Sequence, residues 1–402
     1  MTTTSNGSRM AAGRTADVLV IGGGVIGLAI SWRAAQRGLR VILADSDPGR
    51  GASYAAAGML TPVAEAAYAE RELFELGLES LRRYPGFAAE LTELTGQPTG
   101  FRPTGTLAVG YDADDMAMLR EHALLRESFG AAVQRLTGRE CRQAEPVLGP
   151  AIGGGLLVSD DASADPRLLT EALAAAFAAA GGTLLRQAAT RLTQEKGRAA
   201  GAVLADGGTV SAGQVVLSAG WASASLAGLP PGAVPPLRPV KGQILRLRPA
   251  PAGTVAGASA PALTRTVRGI VQGSPVYLVP RQDGEIVVGA TQEEQGQDTT
   301  VTAGGVWQLL RDARALVPGI TELELAEAVA GLRPCTPDNA PVIGLSPLPG
   351  LVLATGHFRG GVLLAPVTAD LIAGLLATGT IDAAAEPFRA ERFVRQDTSW
   401  KS

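Results

Sequence analysis

Residues Asp17–Ile21 form a short apolar run rich in β-branched side chains, and three consecutive glycines at 22–24 cut it off. With no polar face to alternate against, the run reads as a strand buried on both sides of a parallel sheet. Val25–Gln36 then carries helix-compatible residues as far as Gly38, and Val41–Asp45 returns to strand character. Strand, helix and strand within about 30 residues make a βαβ unit.

The later pattern alternates the two periods. Glu70–Leu94 predicts a long helix with Leu73, Leu76, Leu78 and Leu81 as its apolar stripe. Phe101–Tyr111 changes to strand around Thr106–Val109, and Ala113–Phe129 returns to helix. Asp165-Pro166-Arg167 opens a further helix over Leu168–Ala180, since an acid caps the end and proline is tolerated in the first turn. Two β-rich stretches follow, Val203–Leu217 and Gly242–Thr291. The second holds Ile244–Leu247, Val276–Val279 and Glu285–Val288, with a polar turn at Gln282-Asp283-Gly284, and it predicts an antiparallel sheet laid against the nucleotide-binding part. Leu351–Ala354, Thr355–Gly361 and Val362–Leu376 form a last strand, glycine turn and helix.

Composition narrows the class of protein. The 402 residues are 46% hydrophobic and 18% charged, the balance of a globular chain large enough for two packed domains. A net charge of −3 with scattered arginines gives no basic stripe for a nucleic acid. Cys141 and Cys335 make neither a disulfide framework nor a metal cluster, so no metal and a reducing cytoplasm are expected. Residues 1–16 read as a mobile tail without the apolar core of a signal peptide, and no run is long enough for a membrane span.

Gly22-x-Gly24-x-x-Gly27 lies between the first strand and the first helix. Gly22 permits the tight turn, Gly24 lets the backbone approach a pyrophosphate, and Gly27 allows close packing of helix on strand. The helix start, with Val25 and Ile26, offers free N–H groups and a positive dipole end to the anion. Asp45 stands at the tip of the second strand, where a carboxylate accepts from ribose hydroxyls and repels a 2′-phosphate. These residues define an adenine-dinucleotide site and leave NAD and FAD equally open.

From Val18 onward the chain resembles the D-amino-acid-oxidase superfamily of FAD-dependent amine oxidases, and within it the glycine oxidases of thiamine biosynthesis. Five segments carry the resemblance: Val18–Gly27, Ala52–Leu60, Asp165–Leu173, Tyr277–Gln292, and Gly331–Gly344 followed by Thr355–Pro366. The last pair, GLRPCTPDNAPVIG and TGHFRGGVLLAP, decides for FAD. The resemblance implies an α/β fold in which a Rossmann-like FAD-binding domain (17–97, 161–233, 326–390) carries an antiparallel-sheet α+β substrate domain (98–160, 234–325).

It also implies roles for particular residues. Ser53, Ala56, Ala57, Gly58 and Met59 would run past the pyrophosphate and along the flavin ring, where small residues let the backbone lie close to a flat surface. Ala189 and Thr190 fall where relatives hold the adenine by backbone groups. Gly360, Gly361, Val362 and Leu363 would aim N–H groups and a helix dipole at the ring's pyrimidine edge, with His357 supporting the turn. Arg333 would clamp the substrate carboxylate, Tyr277 would add a second contact to it, and Arg359 would stand near ring and substrate. Gln292 takes a pocket-lining position held by Met in some relatives. No side-chain base is needed, because hydride transfer rests on positioning.

Two departures refine this picture. Gly331 stands where sarcosine oxidases tether FAD through cysteine, so the FAD is expected to be noncovalent. Val287 stands where those enzymes carry an oxygen-activating lysine. The expected activity is oxidation of glycine and other small amines, such as sarcosine and small D-amino acids, with O2 as acceptor, in a homo-oligomer that is a tetramer in similar enzymes. Its rivals are a dehydrogenase or oxidase of the same fold with another substrate or acceptor, and a non-catalytic flavin-binding subunit.

Overall fold

The structure, a computed structural model, describes residues 14–249 and 262–393. The tail expected over 1–16 lies outside the described residues up to residue 13, and from Arg14 the chain is already strand.

The first layer is built on β1 (Arg14–Ile21), α1 (Val25–Gln36) and β2 (Val41–Ala44), the predicted βαβ unit. A short helix α2 (Ala52–Ala55) and strand β3 (Met59–Leu60) lead to α3 (Arg71–Thr95). The chain then leaves this layer for β4 (Thr106–Gly110), α4 (Ala113–Ser128), β5 (Gln134–Thr137), α5 (Gly138–Ala144) and β6 (Gly154–Val158). It returns through β7 (Ala162–Ser163), α6 (Pro166–Ala179), β8 (Thr183–Leu185), β9 (Ala189–Glu195), β10 (Arg198–Leu204) and β11 (Thr209–Leu217). As expected, the Asp165 side chain caps α6 by accepting from the Arg167 N–H.

Six strands of the first sheet run in the order β17-β18-β11-β1-β2-β8, where β17 is Val342–Leu345 and β18 is Leu351–Thr355, and β9 and β10 extend from β11 as an antiparallel meander. Val18 and Val20 of β1 join the core beneath α1, α3, α6 and α8 (Ala365–Thr378), whereas Leu19 and Ile21 face the core under the meander. Both faces are covered, which is why the strand reads as a continuous apolar run. Trp32 of α1 is fully buried and meets Phe87 of α3 edge-on at 5.4 Å, locking the two helices together.

The second sheet has the order β16-β12-β15-β14-β13-β4-β6-β5. Its remaining strands are β12 (Arg238–Arg248), β13 (Thr266–Val271), β14 (Ser274–Pro280), β15 (Ile286–Gly289) and β16 (Glu324–Cys335). All its pairs are antiparallel except β4 with β13. One face packs against α7 (Ala303–Leu316) through Leu309, Ala313 and Leu316; the other presents Ile244, Val279 and Val287 to Ala57 of the first layer.

Two sequence boundaries move. β16 pairs with β12 along its whole length, so the second sheet keeps the chain to Cys335 instead of releasing it near residue 326. The last helix starts at Ala365, not Val362. Residues Gly361–Leu364 are a turn fastened from α3, where the Tyr84 hydroxyl donates to the Val362 carbonyl at 2.7 Å and Ser80 Oγ donates to that of Leu363 at 2.6 Å. Among the described residues, no single helix is long and apolar enough to cross a membrane.

Candidate active site

A cavity of about 540 Å³ opens between the two sheets. One end is walled by Gly22, Gly24, Val25, Ile26, Asp45 and Ala189; the floor by Ser53, Ala56, Ala57, Gly58 and Met59; the other end by Tyr277, Arg333, His357, Arg359, Gly361 and Val362. Chain segments hundreds of residues apart thus meet on one surface. The cavity lies at the carboxyl ends of β1 and β11, where the order of parallel strands reverses, the place where open α/β sheets bind ligands.

The nucleotide end follows from local sterics. Gly22 adopts φ +104°, in the region that favours glycine. A Cβ on Gly27 would lie 1.8 Å from the Gly22 carbonyl oxygen, so α1 sits on its turn with no space for a methyl group. A Cβ on Gly24 would meet only Ser53 Oγ, at 3.2 Å, which leaves that stretch of backbone open to the cavity. Asp45 accepts from the Gly23 N–H at 2.6 Å and from Asp47 N–H at 2.8 Å, fixing its carboxylate at the cavity rim with acceptor capacity to spare. Ser53 Oγ accepts the Val25 N–H at 3.0 Å and ties the floor to the helix start.

The floor is held from the opposite layer. Arg281, buried, donates to the carbonyls of Ala57 at 2.7 Å and Ala164 at 3.1 Å, and it pairs with Asp165 at 3.3 Å. Ala56–Met59 is therefore a clamped segment, not a flexible Ala/Gly loop.

The far end brings a phenol and a guanidinium together. Tyr277 pairs across the sheet with Gly289, and a Cβ on that glycine would lie 2.5 Å from the tyrosine hydroxyl. Gly242, whose register partner is Gly331, gives way to Arg333 two residues on: the guanidinium would lie 2.4 Å from a Cβ there. Two glycines thus open the room that these side chains fill. Arg333 Nη1 donates to the Thr291 carbonyl at 3.2 Å and, more weakly, to that of Lys241 at 3.4 Å, and it has no acidic partner among the described residues. Burial pushes the Tyr277 hydroxyl above the usual phenol range, with the Arg333 charge opposing that rise, so it is a neutral donor.

His357 is buried, with Nε2 3.1 Å from Thr368 Oγ1, and desolvation lowers its pKa to about 3. It is a neutral prop for the turn. The N–H groups of Gly361, Val362 and Leu363 find no acceptor among the described residues, and Gly361 and Val362 line the cavity.

Three sequence expectations are corrected. Gln292 is exposed and outside the cavity wall, because the neighbouring Thr291 turns inward to bond Glu293 and the Gln243 N–H. Thr190, expected to act through its backbone, is not on the cavity wall, where Ala188 stands beside Ala189 instead. Gly360 spends its N–H on the His357 carbonyl at 2.9 Å, and it and Leu363 line a smaller neighbouring cavity instead. Arg359 keeps its place on the cavity wall, exposed at the mouth with Glu70 at 4.0 Å. Residues that the sequence reading passed over include Glu65, Trp221, Gly242, Ile244 and Phe358. Trp221 follows the end of β11 and was findable from the strand-end rule; Phe358 sits at φ +46°, which no local pattern signals.

Beneath the cavity wall, Asp161 is buried with neither carboxylate oxygen hydrogen-bonded within the described residues. Burial raises its pKa to about 7, against 3.8 for an ordinary aspartate. The folded state then holds a proton that the unfolded state has released, so this group's support is full below about pH 4 and is lost as pH rises through about 7. Asp161→Asn should therefore stabilise the fold more at about pH 8 than at about pH 5, by a difference on the order of 1–3 kcal/mol that shows as a larger rise in melting temperature at the higher pH. Thermal scans at the two pH values check this.

Fold and cavity fit an oxidoreductase with a dinucleotide cofactor, with a guanidinium and a phenol at the far end of the cavity. The chain belongs to the DAO family of FAD-dependent oxidoreductases, which it matches over residues 17–375. It is similar to the bifunctional protein ThiO/ThiG of Trichormus variabilis, at 35% identity over 384 residues that cover 95% of this chain and 56% of that protein. It is also 35% identical to the glycine oxidase of Geobacillus kaustophilus over 364 residues, covering 90% of this chain and 92% of that one. The crystal structure of glycine oxidase from Geobacillus kaustophilus superposes with a TM-score of 0.85 at 33% identity, covering 94% of this chain and 99% of that chain. The chain spans little more than half the length of the ThiO/ThiG proteins. The resemblance read from the sequence holds at the level of family, fold and cofactor.

Proposed function

We propose that this chain oxidises glycine, and other small amines such as sarcosine and small D-amino acids, at the carbon–nitrogen bond. FAD supplies the two-electron acceptor, and O2 takes the electrons onward as H2O2. For glycine the balance is glycine, O2 and water giving glyoxylate, ammonium and H2O2, unless the imine is diverted before hydrolysis to the thiazole of thiamine. The observation that carries this reading is the Arg333 guanidinium, facing the cavity beside Tyr277 without an acidic partner. A planar cation so placed suits a carboxylate, which it binds through two parallel charge-assisted bonds. The similarity to a glycine oxidase over nearly the whole of both chains supports the same substrate class.

The other residues then orient and exclude. Arg333 and Tyr277 fix the carboxylate end of the amine, which sets the direction of the α-carbon. Ile244, on the cavity wall, and Val287, buried in the same apolar cluster, keep water from that side. The unpaired N–H groups of Gly361 and Val362 would hold the acceptor edge of FAD, where negative charge gathers on reduction. Gly22, Gly24 and Asp45 would hold its adenosine half. In air, glycine should yield glyoxylate and peroxide in equal amounts; glycine consumption without peroxide would point to another acceptor.

The FAD is proposed to be noncovalent. A Cβ on Gly331 would lie 2.6 Å from Ala55 Cβ, so no tethering side chain fits there. Cys335 lies off the cavity, with Sγ 3.1 Å from Asn339 Oδ1. Acid precipitation should release all of the flavin into the supernatant; yellow colour retained in the pellet would contradict this.

A further inference from the structure

Two guanidinium groups flank Tyr277. Arg333 stands on one side with only carbonyl oxygens for partners. On the other, Arg268 is the cross-strand neighbour of Tyr277 in the β13–β14 pair. Neighbours in register on one sheet face lie about 5 Å apart at Cβ, and both guanidinium charges act on the Tyr277 hydroxyl. Their electrostatic environments are opposite. Arg268 Nη1 donates to Glu65 Oε1 at 2.7 Å and lies 3.9 Å from Met59 Sδ, and both Glu65 and Met59 are on the cavity wall while Arg268 stands behind them.

Glu65 is placed firmly. Its N–H donates to the Thr61 carbonyl at 3.0 Å, and buried Arg126 donates from Nη2 to the preceding Ala64 carbonyl at 2.8 Å. The Glu65 side chain is 18% exposed and that of Arg268 24%, so the pair is well shielded and its charges act at short range. Beside Tyr277 the cavity therefore shows a ligand the uncompensated Arg333 cation and the Glu65 carboxylate, with Arg359 exposed at the mouth 4.0 Å from Glu70.

We propose that Glu65 is a specificity-determining residue that makes this a pocket for monocarboxylates, by neutralising Arg268 and repelling a second carboxylate on the amine side of the substrate. The proposal rests on the reading of Arg333 and Tyr277 as the carboxylate clamp. Rejection of a competitor by a placed like charge is a standard source of specificity, and it costs the wrong ligand more than it gains the right one. Removing the Glu65 charge frees the Arg268 guanidinium for the very ligand that was excluded.

Two acids that the enzyme cannot oxidise as amines separate the effects. Methoxyacetate has the shape of sarcosine, and oxydiacetate has that shape with a second carboxylate. Their dissociation constants are read on the FAD-loaded protein from perturbation of the flavin absorbance. The wild type should prefer methoxyacetate; Glu65→Gln should shift the ratio towards oxydiacetate by about tenfold or more; Glu65→Gln/Arg268→Gln should abolish that shift. An unchanged ratio in Glu65→Gln, a parallel weakening of both acids, or a shift that survives in the double variant would each overturn the proposal. If neither acid perturbs the wild-type flavin, the carboxylate clamp is wrong and the filter falls with it. If methoxyacetate binds but glycine leaves the flavin oxidised, the assigned reaction fails while the filter stands on its binding ratio.

Discussion

Arg333→Ala should bind FAD as the wild type does and lose roughly 30- to 4,000-fold in kcat/KM for glycine, the equivalent of about 2–5 kcal/mol for truncating one partner of a desolvated, hydrogen-bonded charge pair. Arg333 has no acidic partner among the described residues and contacts no residue of the nucleotide end, so its removal leaves the fold and the cofactor end untouched. Because the carboxylate is held in both ground and transition states, most of the loss should fall on KM, with a smaller fall in kcat from misdirection of the α-carbon. Steady-state kinetics alongside the flavin-to-protein ratio checks both parts. Unchanged kinetics, or loss of flavin, would contradict the assignment.

The second large effect is structural. Gly27→Ala places a methyl carbon where the Gly22 carbonyl oxygen now stands, at 1.8 Å, and 2.6 Å from Ser218 Oγ. Both obstacles are fixed: the carbonyl belongs to the turn itself, and Ser218 Oγ bonds the carbonyls of Gly22 at 3.0 Å and Ile21 at 3.1 Å. Helix α1 must move off β1, which costs at least the 1–3 kcal/mol or so typical of an overfilled core. The same movement shifts the helix start that faces the cavity. The expected protein is colourless, with a melting temperature several degrees lower and no recovery of colour when FAD is added in excess. A yellow, stable Gly27→Ala protein would show that the contact can relax.

How much of this was legible in the sequence depended on how local the cause was. The βαβ unit, the roles of Gly22 and Gly27, the Asp165 cap and the long α3 helix follow from residues within a few turns of one another, and they appear where expected. The features that failed are those set by neighbours distant in sequence. Gln292 is exposed because the neighbouring Thr291 is the residue whose hydroxyl is bound into the fold, by Glu293 and by the N–H of Gln243, which is distant in sequence. Helix α8 begins late because α3, nearly 300 residues earlier, fastens the Val362 and Leu363 carbonyls. Gly242 and Gly289 looked like ordinary strand glycines, and only the pairing of the sheet shows that they make room for Arg333 and Tyr277. Glu65 lay within a loop without periodicity, and the contact that reveals it comes from β13.

The central claim, that the cavity holds FAD beside a carboxylate clamp built for a small amino acid, is tested most directly by mixing the flavin-loaded protein with glycine in the absence of air. The account predicts that the visible flavin absorbance bleaches, saturates with glycine concentration, and returns when oxygen is admitted, with one H2O2 formed per flavin. A flavin that stays oxidised with glycine, sarcosine and small D-amino acids alike would contradict it.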